Sequence, residues 1–143
     1  MARYTTAVRS KLSAEAAFAY MADFSNARIW DPSVSEARHE GEGPIGLGST
    51  FHVVARFAGR NVPLTYVIVA FEPPTRVVLE ARSGFVSRDT ITVESVAGSG
   101  SVVRYDALLT FSGIGRLADP LMQLVFNRVG AKAAAGIAAA LND

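Results

Sequence analysis

Hydrophobic and polar residues alternate along most of the chain with the period of two that is typical of β-strands. The pattern predicts a first strand over Arg3–Leu12 and six more after it, separated by short breaks rich in Gly, Pro, Asn and Ser. The six later strands are predicted at Val34–Glu40, Thr50–Phe57, Val62–Phe71, Arg76–Arg82, Phe85–Val96 and Val102–Phe111. Breaks this short favour antiparallel hairpins over crossover helices.

Helical spacing occurs in three places. Ser13 is suited to N-cap a helix over Ala14–Ala22, and Asp23–Trp30 is predicted to form another short helical segment. A long amphipathic helix closes the chain, with Asp119 as its predicted N-cap. Its apolar arc is predicted to hold Leu121, Met122, Val125, Phe126, Val129, Ala133, Gly136, Ile137 and Ala140, with Gln123, Asn127 and Ala131 opposite.

These elements predict an α+β fold in one domain over residues 1–143. We expect a curved antiparallel sheet of about seven strands wrapped around the long C-terminal helix, with two short helices after the first strand. A strongly twisted sheet of this size is not filled by one helix. A cavity between the concave sheet face and the helix is therefore expected, and such a cavity is a route to ligand binding.

Composition narrows the functional classes. The 143 residues carry a formal net charge of +1 without a basic block, which argues against nucleic-acid binding. The absence of cysteine excludes disulfides and thiolate chemistry. No signal peptide and no long uninterrupted apolar run are recognised, so we expect a soluble cytoplasmic protein without stable membrane insertion. No cofactor and no metal site is implied.

The segment Gly41–Gly46, "GEGPIG", matches the dinucleotide pattern G-x-G-x-x-G only formally. A strand rather than a helix follows it, Glu42 would repel a phosphate, and Pro44 removes a backbone donor. We therefore interpret it as a hairpin loop.

Four segments in order resemble one known family: "VRSKLSAEAAFAYMADFSNARIWDPSV", "GLGSTF" at Gly46–Phe51, "YVIVAFEPPTRVVLEA" at Tyr66–Ala81 and "LADPLMQLVFNRVG" at Leu117–Gly130. The sequence resembles the START-like (SRPBCC) superfamily, in its polyketide cyclase/dehydrase and lipid-transport branch. The resemblance covers nearly the whole chain and implies a helix-grip fold. It specifies function poorly, since the family includes both carriers and enzymes.

The resemblance also implies a role for Trp30-Asp31-Pro32. Trp30 would close one edge of the core, Asp31 could cap or hydrogen-bond the turn, and Pro32 would redirect the chain. An alternative is that Trp30 lines the mouth of the pocket.

The candidate chemistry rests on polar residues that alternate with apolar ones. Asp89 shares a strand face with Phe85, Ser87, Ile91 and Val93, and an unpaired carboxylate on the concave face would have a raised pKa. The alternative is that Asp89 lies at the surface, paired with Arg88 or Arg104.

Tyr66 and Tyr105 lie on similar apolar faces and could orient a ligand or relay protons. His52 is expected to point outward, and His39 is left open. The remaining predicted ligand-binding residues form the helix wall: Met122, Val125, Phe126 and Val129.

The leading hypothesis is a domain that binds a small hydrophobic molecule, such as a lipid, a polyketide-like aromatic, a sterol or a quinone. The alternative is a cyclase or dehydratase with Asp89 or a tyrosine as general acid/base; we otherwise assign no catalytic residue. The strand Val62–Phe71 is apolar on both faces, so part of its outer face is expected to be covered by the N-terminal helices or by a second subunit. Both a monomer and a homodimer are allowed.

Overall fold

The computed structural model describes residues 1–57, 59–98, 100–111 and 119–142. These residues form seven strands, three α-helices and one 3-10 turn at Phe24–Asn26. The strands are β1 (Ala2–Ser10), β2 (Val34–Glu40), β3 (Thr50–Phe57), β4 (Arg60–Glu72), β5 (Arg76–Arg82), β6 (Val86–Ser95) and β7 (Ser101–Thr110). The helices are α1 (Ala14–Ala22), α2 (Ala27–Trp30) and α3 (Asp119–Asn142).

The predicted bounds are confirmed for α1, β2, β3 and β5, and the other strands differ by one or two residues at each end. Ser13 caps α1, since its hydroxyl accepts the N–H of Ala16 at 3.2 Å. The predicted cap at Asp119 lies outside the side chains that the structure describes.

The strands form one antiparallel sheet in the order β1-β7-β6-β5-β4-β3-β2. Consecutive strands from β2 to β7 pair as hairpins. Strand β7 also pairs with β1, which forms the edge of the sheet opposite β2. The segment Gly41–Gly46 lies in the β2–β3 connection, as the sequence predicted. The α+β helix-grip architecture is thus confirmed, with the curved sheet around α3.

A bulge in β4 accounts for part of its apolar second face. The register shifts between Ile68 and Ala70, which changes the facing of the residues beyond. The ring of Phe71, which straight alternation places on the outer face, lies 5.5 Å from the ring of Phe18 in α1. Val69 is still 44% exposed, so the N-terminal helices do not cover the outer face at that residue.

Helix α3 packs closely because two glycines face its neighbours. A Cβ atom at Gly136 would overlap the backbone carbonyl of Trp30, and one at Gly130 would overlap the ring of Tyr4. The fully buried Ile137 lies next to the first of these contacts. The absence of a side chain therefore sets how near α3 lies to α2 and β1.

The predicted apolar arc of α3 needs correction at two positions. Leu121 is 64% exposed. It lies five residues from the buried Phe126, about 140° around a helix that turns about 100° per residue. Gln123 was placed opposite the arc, but it is only about 60° from Phe126. Its amide contacts the sheet.

Helix α3 is fastened to the free edge of β1 near both of its ends. The Gln123 amide accepts the N–H of Arg3 at 2.9 Å and donates to the carbonyl of Arg3 at 2.8 Å. The Asn142 amide accepts the N–H of Lys11 at 2.9 Å and donates to the carbonyl of Arg9 at 2.8 Å. These bonds satisfy strand groups that would otherwise be an open edge.

Helix α3 is also long and apolar enough, by length and composition, to cross a membrane. Core helices of soluble proteins pass the same criterion. Here Phe126, Ala133 and Ile137 are buried in the core cluster.

Candidate ligand-binding cavity

A cavity lies between the concave face of the sheet and α3, where the sequence predicted one. Its volume is about 110 Å³, of the order of the ~150 Å³ engineered cavity that admits benzene. Most of its wall is apolar: Phe24, Ala27, Val34, Val53, Ala55, Phe57, Val62, Leu64, Phe85, Ala107, Leu109, Phe111, Phe126, Val129, Gly130 and Ala133. Its volume is therefore in the range of a cavity that admits one aromatic ring.

Phenylalanines surround one end of the cavity. The rings of Phe85, just before β6, and Phe111, just after β7, lie 5.6 Å apart. Those of Phe57 in β3 and Phe126 in α3 lie 6.2 Å apart. Three of these side chains are only half-buried, whereas Phe126 is buried. We call these four residues the phenylalanine rim, and all four line the cavity.

Asp89 and Tyr105 form the main polar contact inside the cavity. Asp89 is 4% exposed, and the Tyr105 hydroxyl donates to its Oδ2 at 3.1 Å. Burial, above all, raises the pKa of Asp89 to about 7; the bond from Tyr105 lowers it, and the charges of Asp31 and Asp106 raise it. Burial and the nearby Asp89 hold the pKa of Tyr105 well above 10.

The alternative that placed Asp89 at the surface is wrong. Strand alternation puts Arg88 and Arg104 on the opposite face, where Arg88 pairs with Glu80 at 3.1 Å. The carboxyl of Asp89 faces the cavity instead. In the described part of the chain, no arginine, lysine or histidine lines the cavity with it.

A second polar contact joins β4 to β6 through the same wall. The hydroxyls of Tyr66 and Ser87 lie 2.8 Å apart, and both residues are buried. Burial raises the pKa of Tyr66 well above its usual value, and the charge of Asp89 adds to this effect. Tyr66 therefore remains a neutral phenol.

Trp30 is both an anchor and a part of the cavity wall. It is 1% exposed, and its ring lies 5.8 Å from that of Phe24 and 5.4 Å from that of Tyr105. Its indole Nε1 is buried without a hydrogen-bond partner, and among the side chains that the structure describes no other buried nitrogen or oxygen is in this state.

Asp31 closes the turn after Trp30. Its Oδ1 accepts the backbone N–H of Ser33 at 2.9 Å and the Ser33 hydroxyl at 2.7 Å. The turn role expected from the sequence is confirmed. Asp31 also lines the cavity, and burial, opposed by the two bonds from Ser33, raises its pKa.

The structure brings six of the eight predicted ligand-binding residues to the cavity: Trp30, Tyr66, Asp89, Tyr105, Phe126 and Val129. Met122 and Val125 are not among its described lining residues. Met122 packs against the core, and the helix face toward the cavity continues instead through Gly130 and Ala133.

Sequence reasoning missed several wall residues. Ser87 was placed on the face of Asp89 but was not proposed as a site residue, although the alternation contained the signal. Phe57, Phe85 and Phe111 of the rim lie at or next to strand ends, and Asp31 lies in a turn. Their approach to one another depends on the curvature of the sheet, which no local pattern reveals.

Neither histidine lines the cavity. The ring of His39 packs 5.2 Å from that of the buried Phe51, and His52 is half-buried. Among the described residues, no group of three or more histidine, aspartate or glutamate side chains could hold a metal ion.

Comparison with known proteins supplies the family. Residues 1–142 match the family described as polyketide cyclase / dehydrase and lipid transport. This chain belongs to that family. A search of curated proteins gives no match.

Solved structures with the same fold as this polyketide cyclase/dehydrase and lipid-transport family member include a START superfamily protein from Mycobacterium smegmatis. That protein is 10% identical with a TM-score of 0.79, over 97% of this chain and 96% of the other. The Zhui aromatase/cyclase from Streptomyces sp. R1128 is 12% identical with a TM-score of 0.73, over 97% and 92%. At such identities the likeness establishes the fold.

Proposed function

We propose that this family member binds a small hydrophobic molecule in the cavity between the sheet and α3. The observation that carries the proposal is an apolar cavity of about 110 Å³ whose wall holds buried polar groups at one end. Removing apolar ligand surface from water would supply affinity at roughly 25 cal/mol per Å². The phenylalanine rim would be the entrance.

Two wall groups have hydrogen-bonding capacity to spare. The indole N–H of Trp30 has no acceptor, and the structure gives Oδ1 of Asp89 no donor among the described residues. The indole N–H is buried, and a buried polar group without a partner is costly, so it is a candidate for a contact that a ligand completes. Asp89 lines the cavity, so its Oδ1 can accept from a ligand group there. Tyr105 would hold Asp89 in place, Tyr66 would hold Ser87, and Phe126 and Val129 would form the opposite wall.

The test is native mass spectrometry of the protein purified from its own host, followed by titration with toluene and indole. We expect a copurified compound of defined mass. Otherwise we expect saturable binding of either probe that shifts the amide resonances of cavity residues or slows their hydrogen exchange. If no compound copurifies and neither probe binds at millimolar concentration, the carrier proposal fails.

A second candidate function is supported by one observation, the buried carboxyl of Asp89 with a pKa of about 7. A group that titrates near neutrality is suited to general acid/base catalysis, as a cyclase or dehydratase would need. The ionised Asp89 would remove a proton next to a carbonyl, giving an enolate, and the protonated carboxyl would return that proton to the product.

Acetophenone in deuterated buffer provides a direct probe of this second function. We expect exchange of its methyl protons to rise with pH through about 7 and to be lost in Asp89→Asn, because the ionised carboxylate is the base. An exchange rate unchanged by that substitution would exclude Asp89 as the base.

We further propose that the chain works in the cytoplasm as a soluble single domain. The support for a soluble domain is that α3 buries Phe126, Ala133, Ile137 and Leu141 against the core. Size-exclusion chromatography with light scattering would distinguish a monomer from a homodimer.

A further inference from the structure

The charges that face the cavity all have one sign. Two carboxyls, Asp31 and Asp89, line it. No lysine, arginine or histidine does so among the described residues. Asp106, which also acts on Asp89, lies on the outer face of β7 and is paired with Arg3 at 2.7 Å. Above about pH 7, where Asp89 is ionised, the cavity therefore carries negative charge that no described lining side chain neutralises.

Asp89 is positioned to receive a ligand group. Tyr105 occupies Oδ2, which leaves Oδ1 without a described partner. Ala107 lies directly opposite Asp89 on β7, and both line the cavity. The small side chain of Ala107 adds little volume to this part of the wall, where both residues border the cavity.

Aromatic rings surround the same end of the cavity. Tyr105 lies 5.4 Å from Trp30, and Phe24 lies 5.0 Å from Tyr66, measured between ring centroids. All four residues line the cavity. Aromatic faces attract cations, and more strongly where water is excluded.

From this arrangement we propose that the cavity selects an apolar, aromatic-sized molecule that carries one basic nitrogen, with its ammonium group paired to Asp89 among the rings of Trp30 and Tyr105. This inference rests on the proposed binding function and names the ligand class. A neutral hydrophobic ligand would leave the carboxyl without a counter-charge, whereas an ammonium supplies both the charge and the donors that Oδ1 lacks.

Binding of this ligand would also be linked to the loss of a proton from Asp89. The groups that face Asp89 are Tyr105 from β7, Tyr66 from β4 and Asp31 after α2, and none of them is cationic. A cation beside Asp89 favours its ionised form. Affinity for an ammonium should therefore increase from pH 6 to pH 8, as Asp89 loses its proton.

The experiment compares benzylamine with benzyl alcohol, which has nearly the same shape but no charge, by isothermal titration calorimetry at pH 8 and low salt. We expect benzylamine to bind at least about tenfold more tightly, as an ion pair and cation–π contacts imply. Asp89→Asn should remove this preference, and Ala107→Leu should abolish binding of both probes by filling the space. Asp106→Asn, which removes a partly exposed carboxyl outside the cavity, should change neither at pH 8, where Asp89 is ionised in both proteins.

The outcomes distinguish the inference of an ammonium ligand from the proposed binding function on which it rests. If benzyl alcohol binds as tightly as benzylamine, or if the preference persists in Asp89→Asn, the ammonium inference is overturned and the binding function stands. If neither probe binds and toluene does not bind either, the binding function itself fails.

Discussion

Asp89 has the strongest influence on the chemistry of this cavity. Its carboxyl is accepted in an apolar wall because Tyr105 donates to it and because it can hold a proton up to a pH of about 7. In an unfolded chain the same group ionises near pH 3.8. Between these two values the folded state holds a proton that the unfolded state has released, so folding is favoured by acid there and weakened as the pH rises.

The first prediction concerns Asp89→Asn. The wild-type free energy of unfolding should fall, relative to that of the variant, by roughly 3 kcal/mol from pH 5 to pH 8, at about 1.36 kcal/mol per pKa unit. Urea denaturation at the two pH values measures the difference.

Asp106→Asn is the matched control for Asp89→Asn. Asp106 lies on the same sheet, but its side chain is partly exposed and paired with Arg3, so its loss should cost little. If the free energies of unfolding of the wild type and Asp89→Asn changed in parallel with pH, Asp89 would not be a buried acid with a raised pKa.

The second prediction concerns the bond between Tyr66 and Ser87. Tyr66→Phe leaves the buried hydroxyl of Ser87 without a partner and should cost about 1–3 kcal/mol. The double substitution with Ser87→Ala removes both polar groups and should recover part of that loss. Urea denaturation of the four members of the cycle gives the coupling energy, and strictly additive losses would show that the bond contributes nothing.

These residues also show what the sequence could predict. Alternation in β6 and β7 put Asp89 and Tyr105 on the same faces as apolar residues, but it left open whether Asp89 faces the cavity or the surface. It could not decide whether the carboxyl would be paired, because the partner comes from another strand at a register set by the whole sheet. Met122 and Val125 show the same limit, since a helical wheel identifies a buried face but not which part of it meets a void.

At the scale of elements, the close packing of α3 depends on glycines whose missing side chains leave room for neighbouring atoms. The carbonyl of Trp30 occupies the space where a side chain at Gly136 would lie. The sequence placed this glycine on the buried arc, but only the structure reveals that backbone, rather than a flexible side chain, faces it.

The third prediction follows from this contact. Gly136→Ala raises the intrinsic helix propensity by about 1 kcal/mol, yet it should destabilise the protein by about 1–3 kcal/mol because α3 must move away from α2. Ala135 is exposed on the same helix, so Ala135→Gly shows the effect of propensity alone. Thermal unfolding compares the two, and a stabilised Gly136→Ala would show that the contact is loose.

At the scale of the whole molecule, the side chains of the sheet and of α3 leave part of the space between these two layers unfilled. Small residues on both sides, Ala107 on β7 and Ala133 on α3, leave the void that larger ones would close. Sequence patterns predicted that a void exists, since one helix cannot cover so curved a sheet. Its volume depends on individual side chains.

The fourth prediction tests that void. Ala107→Leu should maintain or increase the free energy of unfolding, because added apolar atoms enter empty space at roughly 0.8 kcal/mol per buried CH₂, while binding of toluene is lost. Ala7 is exposed on β1, so Ala7→Leu adds the same atoms outside the cavity and should leave binding intact. A strongly destabilised Ala107→Leu would mean that the space is already filled.

The two amide side chains that fasten α3 to β1 have a consequence for exchange of the cavity's contents. Gln123 and Asn142 join opposite ends of the helix to one strand through eight polar atoms, so separation along this seam would break four hydrogen bonds together. On the other side, between Phe57 and Phe126, the described contact is between two rings. We therefore expect α3 to stay attached along β1 and a ligand of the proposed kind to pass between those rings.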